Sequence, residues 1–475
     1  MKNMLKKIGI ENFKAFAHLQ ELNLAPITLI YGANSSGKSS IIHSLMVLKQ
    51  SILFSTLKGG VYSDKRVLDV GNYSTMVYSH ESNRDISFHL KFADRNSNKY
   101  EYVDKLSANF IYSLYDKNIN KKSSDQQGFS YLKKIDFEDY NRRKNFGYSL
   151  INKFILDNTR NTRSYDLHVS PNHRISLDDE ELTDEIIDII MAAFSFNSED
   201  EIAIPKGITF ENHADVFKKL KEKNAEDKWF DVMHFLGEKL SSHSNFVKKE
   251  LKKISYLGPL RSNPKRYYSI DTEFEVTVGK EGENIAYFLK RDKEVLTRKI
   301  NDWFDLFDIP YKFTPKPIGE RNTEPLIQIQ LEDKRNDVSV SPLDVGFGIG
   351  QILPILVEGI VREDSVICVE QPEIHLHPKL QAELAEFFVE TSTSNQWIIE
   401  THSEALLLRI QKLMRNKKKI NGKTLKPEDI SILYVLPSKN KEDGAQVVQI
   451  RLDEDGDFID FWPEGFFEER IKERR

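Results

Sequence analysis

Residues 27–40 read Ile27-Thr-Leu-Ile-Tyr31-Gly32-Ala33-Asn34-Ser35-Ser36-Gly37-Lys38-Ser39-Ser40. The first five follow Pro26 as an apolar run, the pattern of a buried strand. From Gly32 onward the stretch matches G-x-x-x-x-G-K-[ST]. Apolar residues then recur with helical spacing at Ile41, Ile42, Leu45, Met46 and Leu48. The unit is strand, loop, helix. Glycines let successive backbone N–H groups point inward around phosphate oxygens, and the helix N-terminus adds its positive end. The spacing sets Lys38 to reach the β- and γ-phosphates and the Ser39 hydroxyl to ligate Mg²⁺. The reading is a nucleotide site formed by Gly32, Ala33, Asn34, Ser35, Ser36, Gly37, Lys38, Ser39 and Ser40.

Such a loop needs an acidic residue at the end of a neighbouring buried strand to hold Mg²⁺. Val366-Ile-Cys-Val-Glu370-Gln371-Pro-Glu373 supplies it. Glu370 is the candidate metal acid, reaching Mg²⁺ directly or through water. Farther on, Trp397-Ile-Ile-Glu400 leads into Thr401-His402-Ser403. His402, after an apolar strand, is set to touch the γ-phosphate and sense its loss. A lone His of this kind also has the ordinary reading of a buried, hydrogen-bonded side chain.

The remainder of the chain bounds the answer. At 475 residues and about 150 residues per domain, about three folding units are expected. Charged residues make up 30% and hydrophobic ones 39%, a globular balance. Sixty-eight basic against 73 acidic residues give a net charge of −5, which excludes a strongly basic nucleic-acid coat but not a local patch. The single cysteine, Cys368, excludes an internal disulfide and a cysteine zinc cage. No apolar run approaches the ~20 residues of a membrane span. Met1–Glu11 has no apolar signal-peptide core, so a cytoplasmic location is expected.

Patterning divides the chain into 1–80, with the P-loop; an insertion at 81–255; 256–425, with the other motifs; and a short domain at 426–475. In the insertion, Ile86–Phe92 and Phe110–Leu114 alternate like strands. Glu180–Phe194, Val216–Leu220, Trp229–Leu240 and Phe246–Ile254 suit helices. A small β section followed mainly by helices is expected there, without heptads for a long coiled-coil arm. Beyond it, Lys293–Phe307 suits a helix, Leu326–Leu331 with Val338–Val340 a hairpin, and Ser365–Val369 a central parallel strand.

Together the motifs resemble the ABC-class ATPases of the RecF/SMC/OLD group, often labelled AAA-family ATPases in bacteria. The segments are Asn12-Phe-Lys14, residues 32–40, Val369-Glu-Gln-Pro-Glu-Ile-His-Leu-His-Pro378 and Glu400-Thr-His-Ser403. Val345-Gly-Phe-Gly-Ile-Gly-Gln-Ile-Leu-Pro354 resembles the group's signature segment. Tyr256–Arg261 and Trp462–Phe467 resemble a stand-alone subfamily with a short C-terminal domain of unknown function.

The resemblance, which covers about 1–80 and 256–475, implies an α/β P-loop fold of ABC-ATPase type with a mixed central sheet and an N-terminal antiparallel β section; the mainly helical insertion is read from its own patterning. It also implies ATP and Mg²⁺ as ligands, and a homodimer or higher homo-oligomer. In that assembly Gly346, Gly348 and Gln351 of one subunit complete the P-loop of the other. In the group, the residue after the Mg²⁺ acid is usually a Glu that polarises water. Here it is Gln371, which orients water without taking its proton. Either Glu373 substitutes or hydrolysis is slow.

The implied work is a nucleotide-driven switch in anti-phage defence or on DNA, with a separate effector such as a nuclease, because only about 70 residues follow His402. A RecF-like DNA repair ATPase and a nucleotide-locked scaffold are the alternatives; a transporter ATPase fits the insertion and the 372–378 loop least.

Weaker patterns have plainer readings. Glu373, His375 and His377 share a face in an extended chain and would suit a metal, but the resemblance accounts for them as the loop after the acidic strand. Asp453, Asp455 and Asp457 imitate a calcium loop without its closing Glu and suit a solvated turn. The basic run at 415–426 could grip phosphates but suits a solvated loop better; those at 142–144 and 248–253 permit contact with DNA phosphates without showing it. Tyr267 and Tyr268 beside Lys265 and Arg266 suit stacking on a base or on adenine, or core or rim packing, equally.

Overall fold

The computed structural model describes residues 3–54, 60–95, 102–115, 129–140, 145–154, 163–169, 176–177, 180–181, 194–195, 209–210, 213–261, 265–269, 277–318, 326–417, 419–420 and 423–463. The chain opens with β1 (Asn3–Glu11) and β2 (Gln20–Asn23), paired antiparallel. It then enters β3 (Ile27–Gly32) and α1 (Lys38–Phe54). Next come β4 (Ile86–Arg95), β5 (Tyr102–Tyr115), β6 (Phe129–Tyr140), β7 (Asn145–Phe154) and β8 (Arg163–Val169). They extend the first hairpin into a seven-stranded antiparallel sheet of order β2-β1-β4-β5-β6-β7-β8. The 81–255 segment is thus built onto the N-terminal β section through β1 and β4.

This segment carries more strand than its sequence suggests. Its strands reach residue 169 because each long ladder supplies backbone partners whatever the local periodicity. Phe13, Phe88 and Tyr112 stack edge to face along its buried side. Of the helix expected at 180–194, Glu180–Glu181 pairs instead with Ser176–Leu177, and Phe194 pairs with Phe210. Residues 182–193 lie outside the described residues. The helices expected next are present as α2 (His213–Glu222) and α3 (Glu226–Lys252). The second is continuous where two were read, because Trp229, Val232, Leu236, Leu240, Val247 and Leu251 form one buried stripe at helical spacing.

Then follow β9 (Ile254–Leu257), β10 (Tyr267–Ser269), α4 (Ile285–Arg291) and α5 (Lys293–Leu306). The strands β11 (Tyr311–Ile318), β12 (Leu326–Asp333) and β13 (Ser339–Val340) form a small antiparallel sheet with β10. Last are α6 (Phe347–Val361), β14 (Val366–Glu370), α7 (Pro378–Thr391), β15 (Gln396–Glu400), α8 (Glu404–Arg415), β16 (Ile430–Leu436) and β17 (Gln446–Ile450).

The central sheet has the order β9-β14-β15-β3-β16-β17 and is parallel except for β17. It draws strands from 1–80, 256–425 and 426–475 alike. Both faces are covered, so β3, β14 and β15 are buried at every position, as sandwiched parallel strands must be. Alternate side chains divide between two cores. Ile30, Cys368, Ile398 and Leu433 face α1 and the antiparallel sheet. Leu29, Val369, Trp397 and Ile432 face α6, α7 and α8. Among the described residues, no helix is long and apolar enough to cross a membrane.

Candidate nucleotide and cation site at the strand ends

β14, β15 and β3 are neighbours, so their C-terminal ends open at one place. Ladder register puts Glu370 opposite Glu400 and Glu400 opposite Ile30, two residues before Gly32. Clefts beyond the carboxyl ends of parallel strands are where α/β sheets bind ligands. All three motif segments converge there.

The P-loop has the strained backbone that phosphate wrapping requires. Gly32, Ser35 and Gly37 have φ of 148°, 60° and 103°. A Cβ at Gly37 would lie 2.5 Å from Ala15 Cβ, and one at Gly32 2.5 Å from the Val435 carbonyl oxygen. Neither position tolerates a side chain. Ser36 Oγ is buried without a hydrogen-bond partner. Ser40 N–H donates back to the Gly37 carbonyl at 3.0 Å. Ala33 is half-buried, and Asn34 and Ser35 are exposed. Lys38 is buried and donates to the Gly32 and Ala33 carbonyls at 3.1 and 2.7 Å. Burial lowers its pKa, opposed by the charges of Glu400 and Glu373.

The acidic side is dense. Glu370 is buried; its Oε1 lies 3.1 Å from His43 Nε2 and accepts from the Tyr256 hydroxyl at 3.2 Å. Lys14 Nζ sits 2.8 Å from His43 Nδ1, which leaves Nε2 as the proton-bearing nitrogen facing the carboxylate. Glu400 is 3% exposed, and its Oε2 has no partner. Burial raises its pKa to about 7, with the Glu370 charge adding to the rise and hydrogen bonding to Ser39 opposing it. Arg261 is buried beneath this pair, donating to the Glu370 carbonyl at 2.8 Å and the Gln371 carbonyl at 3.3 Å. Burial pushes its pKa down to about 10.

Gln371 has φ of 44° and donates its N–H to the Glu400 carbonyl at 2.7 Å. That bond ties the end of β14 to β15. Glu373 reaches across the same gap. Its Oε2 accepts from the Thr401 hydroxyl at 2.7 Å and its Oε1 from the His402 N–H at 2.6 Å. Burial raises the Glu373 pKa against those bonds. The His402 ring is half-buried, and its pKa is lowered by burial and by Lys38, which favours the neutral ring. Thr401 N–H donates to Ile30 O at 3.1 Å. Ser403 caps α8 and donates to Gln381 at 2.8 Å.

Residues 345–354, the candidate signature segment, pack beside the loop that follows β14. Gly346 is exposed at the start of α6, and a Cβ there would meet nothing within 4 Å. A Cβ at Gly348 would lie 3.2 Å from the His375 carbonyl oxygen. Gln351 is buried one turn into the helix. This segment lines a cavity of about 360 Å³ with Phe307, Tyr311, His375 and Leu380.

Five residues with clear places in the site carried no assigned role in the sequence reading: Lys14, His43, Tyr256, Arg261 and Glu400. Lys14, Tyr256, Arg261 and Glu400 stand inside quoted motifs, and Glu400 ends an apolar strand as Glu370 does. His43 has only its helical position, one turn past Ser39, as a signal.

The weaker patterns resolve plainly. Among the described residues, no group of three or more His, Cys, Asp or Glu is arranged to hold a metal. Glu373 is engaged by Thr401 and His402, and His377 caps α7. Asp453 Oδ1 accepts the N–H groups of Asp455 and Asp457 in a tight turn. Arg415 pairs with Asp457, and Lys253 with Glu250 and Asp364. Residues 142–144 lie outside the described residues. Tyr268 is buried while Tyr267 is 50% exposed.

The local chemistry fits a nucleoside triphosphate with a divalent cation. A cradle closed to side chains, a Lys held by loop carbonyls, and two adjacent carboxylates suit such a ligand, and the Ser36 hydroxyl and Glu400 Oε2 are buried without a partner.

Comparison with known proteins agrees in kind. The AAA ATPase domain model (AAA_15) matches residues 4–407. A second, described as Protein of unknown function (DUF3696), matches residues 425–474. No curated protein matches the chain. Similar solved structures include the SMC head domain from Thermotoga maritima, at 10% identity, 94% of this chain, 98% of that one and a TM-score of 0.36. Another is the Smc head domain with an extended coiled coil bound to the C-terminal domain of ScpA, from Pyrococcus furiosus, at 12% identity, full coverage of both chains and a TM-score of 0.37. Likenesses this remote carry no argument about function. The domain match spans well over half of the sequence, and the chain belongs to the AAA ATPase domain family.

Proposed function

We propose that the chain is an ATP-binding and ATP-hydrolysing switch that works by nucleotide-dependent closure of a homodimer. The observation that carries the reading is the convergence of Lys38, Ser39, Glu370, Glu400 and His402 at the ends of three adjacent parallel strands. The P-loop amides and Lys38 bind and orient the phosphates. Ser39 and Glu370 would hold Mg²⁺, whose charge neutralises the phosphate oxygens. Neutral His402 faces the same cleft and senses whether the terminal phosphate is present. Glu373 fixes the His402 backbone.

Gly346 is exposed with open space around it, which suits it to meet the nucleotide of a second subunit. ATP would then be part of the dimer interface and favour the closed state by mass action. By resemblance, the switch serves anti-phage defence or DNA transactions, acting on a separate effector such as a nuclease. A RecF-like repair ATPase would instead show DNA-stimulated turnover without an effector.

One feature favours a second reading, a nucleotide-locked scaffold with slow hydrolysis. Gln371 cannot take a proton, and both Glu373 oxygens are already engaged. Equilibrium ATP binding and single-turnover hydrolysis test these proposals together. Wild type is expected to bind ATP, and Lys38→Ala to lose tight binding; equal affinities would overturn the P-loop assignment. ATP binding without any single-turnover product would select the scaffold.

A further inference from the structure

We infer that Glu400 is a third oxygen donor of the divalent-cation site, acting with Ser39 and Glu370, directly or through one water. The inference rests on the nucleotide reading above and assigns a role to a residue outside the usual pair. Glu400 ends the strand that lies between the P-loop strand and the Glu370 strand. It is therefore the residue nearest to both by ladder register, one rung from Glu370 and paired with Ile30, two residues before Gly32.

Its carboxylate is 97% removed from solvent, yet Oε2 meets no donor. A buried charged oxygen left unsatisfied is costly, so the fold holds it there for a partner that binds. Among the described residues, protein cations do not supply that partner. His43 is turned to Glu370, Arg261 donates to main-chain carbonyls, and Lys38 donates to the loop carbonyls. Two carboxylates side by side with a hydroxyl make a hard, all-oxygen donor set that suits Mg²⁺ or Mn²⁺. Phosphate oxygens and water would complete the coordination.

The test uses the full-length protein loaded with a non-hydrolysable ATP analogue, with Mn²⁺ in place of Mg²⁺ and binding followed by electron paramagnetic resonance. Glu400→Gln keeps the shape and removes the charge. It is expected to weaken Mn²⁺ binding about tenfold or more while analogue binding in EDTA is not weakened. Glu400→Asp, which keeps the charge on a shorter arm, is expected to weaken Mn²⁺ binding by a smaller factor. It serves alone if the Gln variant does not fold.

Unchanged Mn²⁺ affinity in either folded variant overturns the inference. So does an equal loss of analogue binding in EDTA, which would make Glu400 a support for the P-loop. If wild type binds no analogue at all, the nucleotide reading fails, and the inference falls with it rather than by its own test.

Discussion

The Glu373 bridge yields the most quantitative expectation. Glu373 accepts from the Thr401 hydroxyl at 2.7 Å and from the His402 N–H at 2.6 Å. Hydrogen bonds to a charged group contribute about 1.5–3 kcal/mol each. The buried carboxylate offsets part of this through its own desolvation, as its raised pKa records. Glu373→Ala leaves both donors unpaired, so a loss of about 3 kcal/mol is expected. Thr401→Val removes one donor and strands one carboxylate oxygen, for about 1–2 kcal/mol.

Because the two share one bond, the double variant should lose less than the sum, by a coupling of about 1.5 kcal/mol. Urea unfolding of the four proteins without nucleotide measures this, with Trp397 reporting on the same strand. Additivity to within about 0.5 kcal/mol would refute the bridge. Glu373→Ala should also weaken the discrimination between ATP and ADP, since His402 would no longer be held.

Two further expectations follow from the acidic side. Glu370→Ala should lose Mg²⁺-dependent turnover and keep some nucleotide binding, because the P-loop backbone is untouched; normal hydrolysis would place the metal acid elsewhere. Without nucleotide or divalent ions, the Glu400 contribution to stability should fall as pH rises from 4.5 through 7. The Glu400 pKa is about 7 in the fold against an ordinary 4.5, so the folded protein holds the extra proton between those values. The contribution is fully present below pH 4.5 and lost through pH 7, about 3 kcal/mol in all. Glu400→Gln should flatten this slope in thermal melts; an unchanged slope would remove Glu400 as its source.

Much of the central sheet was legible because its strands are short, apolar and followed by motif residues. Ile27–Tyr31, Val366–Val369 and Trp397–Ile399 could be read directly. The antiparallel sheet was legible only in part: Ile86–Phe92 and Phe110–Leu114 alternate and are strands. The ladder beyond them, through β6, β7 and β8, carries Lys, Asn and Asp between its apolar residues, so periodicity there understates it. The P-loop and the candidate acid Glu370 were visible as spacing. The pairing of Glu373 with Thr401 and His402 was not, since these residues are 28 and 29 positions apart and meet only because β14 and β15 are adjacent. For the same reason Glu400 read as a motif letter, and its unsatisfied oxygen emerges only from three-dimensional packing.

The central claim is a site completed across two subunits, and the turnover of a mixed dimer tests it most directly. Gly346 is the better probe than Gly348, because a larger side chain at Gly348 presses on the His375 carbonyl of its own subunit, whereas Gly346 faces open space. Gly346→Trp should therefore fold, bind ATP and fail to close or turn over, while Lys38→Ala fails at the P-loop. Mixing the two variants puts both defects into one composite site and leaves the other intact. The account predicts that hydrolysis, absent from each variant alone, returns in part when hetero-dimers form. Full activity of Gly346→Trp alone, or a mixture that forms hetero-dimers and stays inactive, would contradict it.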